Sequence, residues 1–83
     1  MKVQVRYFAS LREALGPTET VELAAGATLG ALRDALIARG GRHAEVLARG
    51  RAVRCSLDQH MVEEAAALRE AAEVAFFPPV TGG

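Results

Sequence analysis

The residues best suited to do chemistry stand at the end of the chain, which reads FFPPVTGG from Phe76 to Gly83. Gly82 and Gly83 have no side chains, so nothing shields the terminal carboxylate, and glycine lets the backbone approach a reaction centre closely. Pro78 and Pro79 fix their φ angles, and each pushes the residue before it into an extended conformation. The pattern predicts a stiff exit from the last structured element, followed by a slender tip. This end is either a loose terminus or a segment whose carboxylate is the working group.

A terminal carboxylate reacts only after activation. It is a poor electrophile, but as an acyl-adenylate made from ATP it can be attacked by a sulfur donor, an amine or a thiol. The sequence contains no phosphate-binding glycine loop, no cluster of metal ligands and no convincing catalytic triad. Its two histidines, His43 and His60, are expected at the surface or in a strand, and its one cysteine, Cys55, is expected to be buried. We therefore expect no bound cofactor, no metal and no independent active site, and we expect another protein to carry out the activation with ATP.

Composition favours one small cytoplasmic domain. Its 83 residues suffice for one modest core. Ten basic and ten acidic residues give no net charge, which argues against binding to nucleic acid or to anionic membranes. No apolar run is long enough to span a bilayer, and Lys2 and Arg6 interrupt the N-terminal segment, which is therefore unlike a signal peptide. A single cysteine cannot form an internal disulfide, as expected in a reducing compartment.

The first half of the sequence predicts two strands and two helices. KVQVRYF (residues 2–8) alternates as a half-buried strand does. Its core face is predicted to carry Val3, Val5 and Tyr7. ASLREALG predicts a short helix that ends at a glycine, and TETVEL predicts a second strand. Thr28 is a good N-cap for the main helix, which ends at two glycines. The apolar stripe of that helix consists of Leu29, Leu32 and Leu36.

The second half predicts a helical turn in RHAEVLARG, a third strand in RAVRCSL and a last strand in EVAFF. Between these strands, MVEEAAALREAA (residues 61–72) has high helix propensity and predicts a helix when taken alone. The order of elements favours an α+β domain in which one main helix lies on a mixed sheet. We assign residues 1–77 to this domain and residues 78–83 to an extended C-terminal tail.

Alternation places two aromatic side chains on the polar side of the predicted sheet. Phe8 falls opposite the core face of the first strand, and Phe77 falls opposite the core positions Val74 and Phe76 of the last strand. Each phenylalanine could pack under a loop at its strand end, or both could form a partner-binding surface. Because Phe77 adjoins the tail, we favour the binding role for that residue.

The chain resembles a known family over its whole length. EVAFFPPVTGG (residues 73–83) is similar to the C-terminus of the small subunits of molybdopterin synthase, the sulfur carriers of molybdenum cofactor synthesis. VRYFASLREALG resembles the opening strand and short helix of that family, ATLGALRDAL its main helix, and SLDQHMV a strand end. The resemblance implies a ubiquitin-like β-grasp fold, with a mixed sheet of four to five strands and one main helix packed on one face.

The resemblance also implies a mechanism. An E1-like enzyme would use ATP to adenylate Gly83, next to Gly82, and sulfur transfer would convert its carboxylate into a thiocarboxylate. The tail would then enter the large catalytic subunit of the synthase, within a heterotetramer. There it would donate sulfur to cyclic pyranopterin monophosphate to form the molybdopterin dithiolene. By matching position, the residues in contact with the large subunit would be Phe8, Met61, Phe77, Pro78, Pro79, Val80 and Thr81.

The sequence departs from the family pattern in two places. Before the last strand the family usually has DGDEV, whereas this chain has EAAEV, so Ala71 and Ala72 replace residues that favour a tight turn. We expect a reshaped turn there, with a local helix that is lengthened. In addition, Asp58 replaces a common asparagine.

Other functions are compatible with a chain that ends in GG. Related sulfur carriers serve thiazole or cysteine synthesis, and ubiquitin-like modifiers form isopeptide bonds with lysines. A plain interaction module is a further alternative. The activated forms share the acyl-adenylate at the terminal glycine, and the ending FFPPVTGG favours the molybdopterin carrier among them.

Overall fold

The structure is a computed structural model that describes residues 1–79. Its elements in chain order are β1 (Lys2–Tyr7), α1 (Ala9–Leu15), β2 (Thr18–Glu22), α2 (Leu29–Ala38), α3 (Gly41–Val46), β3 (Arg54–Leu57), β4 (His60–Val62) and β5 (Glu73–Phe77). The strands form one five-stranded sheet in the order β2-β1-β5-β3-β4. β1 and β5 are parallel, and the other neighbouring pairs are antiparallel. The predicted α+β class with a mixed sheet is therefore confirmed.

The hydrophobic core lies between one face of the sheet and the helices. Its most deeply buried side chains include Val3, Val5, Tyr7, Leu29, Leu32, Leu36, Val74 and Phe76. These are the positions that alternation predicted for β1 and β5, and that the helical period predicted for α2. Because burial of each such side chain contributes about 1.5–3 kcal/mol relative to exposure, this layer is the main source of stability.

The main helix, α2, has 10 residues and begins at the predicted cap. Thr28 Oγ1 accepts a hydrogen bond from Ala31 N over 3.1 Å, which satisfies one of the first free amides of the helix. After the helix, Gly40 has a φ of 76°, a left-handed conformation that glycine adopts without strain. No helix within residues 1–79 is both long enough and apolar enough to cross a membrane.

Residues 61–72, whose residue types favour a helix when taken alone, do not form one. The first two residues of this segment belong to β4, and the rest forms turns that pack against the start of α2. There Leu29 N donates to Ala66 O over 2.9 Å, and Gly30 N donates to Glu64 O over 2.8 Å. The first amides of a helix have no partner within the helix, so these carbonyls satisfy groups that need one. This tertiary pairing outweighs the helix propensity of the segment.

The turn before β5 is tight although it contains no glycine. Ala71 adopts a φ of 64°, and its N donates to Lys2 O over 2.7 Å. Leu68 and Ala72 are each 4% exposed, so the core holds the chain before and after this position. The expected lengthening of a local helix is therefore wrong, because burial of the flanking residues imposes a left-handed conformation on an alanine.

Candidate functional site

The sheet face opposite the helices, called the open face below, carries a row of residues that crosses four strands. Backbone pairing joins Arg6 of β1 to Ala75 of β5. On the other side of Ala75, Ser56 of β3 lies between it and Met61 of β4. Ala75 and Ser56 are only 5% and 6% exposed although they face away from the core. Larger neighbours cover these two small residues, which form the floor of a shallow recess.

Two aromatic rings stack on each other beside this recess. Phe8 follows β1 and Phe77 ends β5, and their ring centroids are 4.8 Å apart with an interplanar angle of 10°. The backbone supports the contact because Phe8 N donates to Phe76 O over 3.2 Å. The Arg6 guanidinium lies 5.3 Å from the centroid of the Phe8 ring, within range of a cation–π contact. Both rings remain partly exposed on the open face.

Met61 completes an apolar patch, which we define as Phe8, Met61 and Phe77. Met61 is 55% exposed, and no other large apolar side chain within residues 1–79 is as exposed. All three patch residues line the same recess of about 300 Å³. Exposed apolar clusters often mark interaction sites. The structure thus brings together three residues predicted to contact a partner, and their binding role stays a prediction.

The apolar patch continues to the point where the chain leaves the sheet. Pro78 follows β5, is half-buried, and lines a second recess together with Arg54, Met61 and Phe77. Pro79 is exposed. The other residues predicted to react or to contact a partner lie outside the described residues, namely Val80, Thr81, Gly82 and Gly83. A partner that covered the apolar patch would therefore meet the start of the tail.

A hydrogen-bonded cluster on the helix side holds the end of β1 that leads into Phe8. Tyr7 OH donates to Glu19 Oε2 over 2.7 Å, and Arg39 and His43 also contact the Glu19 carboxylate. Burial alone would raise the pKa of Glu19, but the hydrogen bonds from His43, Arg39 and Tyr7 outweigh it and lower the pKa to about 2. Burial, together with the contact to Glu19, raises the pKa of Tyr7, so the phenol remains a donor.

The cysteine and the two histidines, all within residues 1–79, are not arranged as a catalytic site. Burial raises the pKa of the Cys55 thiol, which disfavours the reactive thiolate. His43 Nε2 lies 2.8 Å from Glu19 Oε2, and His60 is exposed on β4. Among the described residues, no three His, Cys, Asp or Glu side chains are grouped so that they could hold a metal ion.

Sequence reasoning did not single out Arg54, Ser56 or Ala75 as part of this site. The alternation of β3 could have placed two of them on the open face, because Arg54 and Ser56 point away from the side of the strand that carries Cys55. Small side chains at paired positions leave room above them for a partner. However, the pairing of β3 with β5, which brings Ser56 next to Ala75, is visible only in the structure.

Known proteins share both the sequence pattern and the length of this chain. A family model described as the ThiS family matches residues 5–83. The chain is 40% identical over 82 residues to the molybdopterin synthase sulfur carrier subunit of Escherichia coli, and the match covers 98% of this chain and 99% of that protein.

Solved structures share the arrangement of helices and strands. SAMP1 of Haloferax volcanii, a small archaeal modifier protein, matches with a TM-score of 0.81 at 26% identity, over 100% of both chains. A chain in the complex of subunits 1 and 2 of the molybdopterin-converting factor from Helicobacter pylori matches with a TM-score of 0.70 at 23% identity, also over 100% of both chains. These likenesses confirm the ubiquitin-like β-grasp fold, and together with the family match they show that the chain belongs to the ThiS family.

Proposed function

We propose that this chain is the sulfur carrier subunit of a molybdopterin synthase. The observation that carries the proposal is the apolar patch of Phe8, Met61 and Phe77, which runs into Pro78 at the start of a tail that ends in GG. Such a surface can seat the chain on a larger protein while the tail extends beyond the contact. The full-length identity of 40% to the Escherichia coli subunit of that name supports the same function.

The proposed chemistry takes place at the Gly83 carboxylate. An E1-like enzyme, proposed as one partner, uses ATP to form the acyl-adenylate and releases pyrophosphate. Sulfide (HS⁻), the simplest sulfur donor that balances the step, then attacks the acyl carbon and displaces AMP. The product is a thiocarboxylate, whose sulfur is a softer nucleophile than a carboxylate oxygen. This sulfur displaces an oxygen substituent from a side-chain carbon of cyclic pyranopterin monophosphate, so a carbon–sulfur bond replaces a carbon–oxygen bond and the oxygen leaves as water or as a phosphate oxygen. Water then cleaves the acyl–sulfur bond and restores the carboxylate. Two such transfers supply both sulfur atoms of the dithiolene.

In this proposal the chain contributes position, and the large catalytic subunit, its second partner, contributes the reaction centre. The apolar patch docks on the large subunit, within a heterotetramer. Pro78 and Pro79 keep the start of the tail extended, which lowers the entropy lost when the tail is inserted. The inserted segment consists of Val80, Thr81, Gly82 and Gly83. We place these steps in the cytoplasm, where ATP is available and a lone cysteine stays reduced.

Removal of Gly83 tests the chemistry. After incubation with ATP, the activating enzyme and a sulfur donor, intact-mass analysis should show an oxygen-to-sulfur shift in the full chain and none in the truncated one. Circular dichroism and thermal unfolding of both proteins should be the same, because the buried core described above is built from residues 3–76. A truncated chain that still supports dithiolene formation would contradict the carrier mechanism.

Replacement of Phe77 tests the docking surface. Phe77→Asp should weaken binding to the large subunit by about 30-fold or more, since loss of a central aromatic contact costs about 2 kcal/mol or more. Ala35→Asp is the matched control, because Ala35 is exposed on α2, away from the open face. It should leave the dissociation constant within about twofold, as expected for a surface site outside the contact. Equal affinities of the two variants would remove the apolar patch from the interface.

A ubiquitin-like modifier is the second candidate function, favoured by the likeness to SAMP1. In that case Gly83 would end in an isopeptide bond with a lysine, and intact-mass analysis would detect a protein conjugate. Sulfur carriers of thiazole or cysteine synthesis would give the same oxygen-to-sulfur shift as the molybdopterin carrier. Addition of the pterin precursor and the large subunit separates these pathways, because only the molybdopterin carrier then yields a dithiolene.

A further inference from the structure

Arg54 borders the apolar patch at the exit of the tail. It is the first residue of β3 and pairs directly with Phe77 of β5. Its side chain lines a recess of about 250 Å³ whose other lining residues, Met61, Phe77 and Pro78, are all apolar. Arg54 is exposed. A partner that covered the apolar patch would therefore also cover, at least in part, this guanidinium group.

The charge of Arg54 is not compensated within residues 1–79. On the other side of the stacked rings, Arg6 lies over Phe8 and its Nη1 is 3.8 Å from Glu73 Oε1. No carboxylate oxygen within residues 1–79 comes within 4.0 Å of the Arg54 side chain. Glu63 borders a neighbouring depression that Arg54 also lines, but it forms no salt bridge with Arg54. Of the two arginines beside the aromatic pair, only Arg54 thus has no carboxylate partner in the described part of the chain.

Docking at the apolar patch would remove water from this uncompensated charge. Transfer of an ion out of water is costly unless an opposite charge meets it with good hydrogen-bond geometry. A planar guanidinium fits a carboxylate through two parallel hydrogen bonds, which makes the contact strong and directional. Arginine is also enriched at the energetically important positions of protein interfaces.

We propose that the protein which binds the apolar patch places an aspartate or glutamate carboxylate against Arg54, and that this pair determines which partner is accepted. The inference rests on the proposed function, in which that partner is the large subunit of the synthase. The apolar patch supplies non-directional contact area, whereas Arg54 rejects surfaces that offer no anion at the matching position.

The phosphate of the pterin substrate is a less suitable anion for Arg54 than a carboxylate of the partner. The four residues from Val80 to Gly83 span about 13–14 Å when extended. In the proposed reaction the substrate meets the tip of the inserted tail. It is therefore separated by that length from the recess of Arg54 and Pro78, so the anion that meets Arg54 belongs to the docking surface.

The experiment measures binding of the full chain to the large subunit from the same organism by calorimetry and surface plasmon resonance. Arg54→Gln should weaken binding by about tenfold or more and Arg54→Glu by about 100-fold, mainly through faster dissociation. Arg12→Gln and Arg12→Glu are matched controls, because Arg12 is exposed on α1 and forms no salt bridge within residues 1–79. Both control variants should stay within about twofold of the unaltered chain. Raised salt should weaken binding of the unaltered chain more than binding of Arg54→Gln.

Double-mutant cycles then locate the carboxylate. Each Asp or Glu exposed on the large subunit is replaced by Asn or Gln, and the replacement that removes the facing carboxylate should cause little further loss in the Arg54→Gln background. Absence of any coupled carboxylate would overturn the inference, as would unchanged affinity of Arg54→Gln.

Two comparisons keep this inference separate from the proposed function. If Phe77→Asp abolishes binding while Arg54→Gln leaves it unchanged, the docking surface stands and the role of Arg54 is overturned. If neither variant affects binding, the docking surface itself is refuted. Analytical ultracentrifugation of the isolated chain tests whether a second copy of this chain, instead of the large subunit, covers the apolar patch. Self-association that disappears in Arg54→Glu would assign the carboxylate to that second copy and overturn the inference.

Discussion

Replacement of Ala71 by glycine should stabilise the protein, although it removes a methyl group. Ala71 has a φ of 64° in the turn before β5. Its position is held by the buried Leu68 and Ala72 and by the hydrogen bond from Ala71 N to Lys2 O over 2.7 Å. The turn therefore cannot relax into a right-handed conformation without loss of core contacts. Glycine would adopt the same backbone without a clash of its Cβ atom.

The expected gain follows from two opposing effects. The left-handed conformation costs an L-residue about 1–2 kcal/mol, which glycine avoids. Glycine in turn loses about 0.5–1 kcal/mol more conformational entropy on folding. Ala71 is exposed, so no core surface is uncovered. With both effects at the middle of their ranges, the free energy of unfolding should rise by about 0.75 kcal/mol, or roughly 3–6 °C in melting temperature for a domain of this size.

Urea unfolding and differential scanning calorimetry provide the measurement. Ala65→Gly is the matched control, because Ala65 is also an exposed alanine in a turn but has no positive φ. The free energy of unfolding of that variant should fall by about 0.4–1 kcal/mol, because glycine raises the entropy of the unfolded chain and no backbone strain is relieved. Sulfur transfer by Ala71→Gly should be unchanged, because the turn lies outside the apolar patch. If Ala71→Gly is destabilised as much as Ala65→Gly, the argument from strain at Ala71 is refuted.

Two further predictions concern charged side chains that are held by hydrogen bonds on the helix side of the sheet or in the core. Because the pKa of Glu19 is lowered from 4.5 to about 2, the ionised carboxylate stabilises the fold above pH 4.5, and this contribution is lost as the pH falls towards 2. The melting temperature of the unaltered chain should therefore fall more steeply across this window than that of Glu19→Gln, and parallel curves would contradict the prediction. Arg33, which is 3% exposed, donates to Leu47 O, Ala48 O and Glu64 Oε2. Arg33→Met should lower the free energy of unfolding by about 3–5 kcal/mol, because it leaves buried acceptors without a donor. A loss below about 1 kcal/mol in urea unfolding would show that water replaces the guanidinium.

The parts of the fold that were predicted correctly depend on local patterns. The core face of β1 follows from the alternation of Val3, Val5 and Tyr7, and the start of α2 follows from Thr28, because a strand period and an N-cap involve only neighbouring residues. The same holds for the aromatic residue next to the tail, since Phe77 must face away from a buried neighbour in the same strand. The family resemblance of the C-terminal segment likewise needed no knowledge of the fold.

Errors and omissions arose where distant segments meet. Residues 61–72 have helix propensity, but carbonyls of this segment accept hydrogen bonds from the first amides of α2. Helix propensity is a property of single residues and contains no information about such long-range hydrogen bonds. Likewise, an alanine at position 71 adopts a left-handed conformation because the core holds its neighbours. The helix propensity of such residues is worth less than about 1 kcal/mol each, and the left-handed conformation costs about 1–2 kcal/mol, so several buried contacts and hydrogen bonds together override them.

By itself the sequence determined the alternation of the strands, the main helix and a glycine-ended tail behind two prolines. The tertiary structure alone decided that Phe8 and Phe77 stack, that Met61 joins them, and that Arg54 stands beside the tail. The physical reason is the strand order, in which β5 lies between β1 and β3. Backbone hydrogen bonds between strands set that register over long distances along the chain, and the register brings together side chains that no local pattern connects.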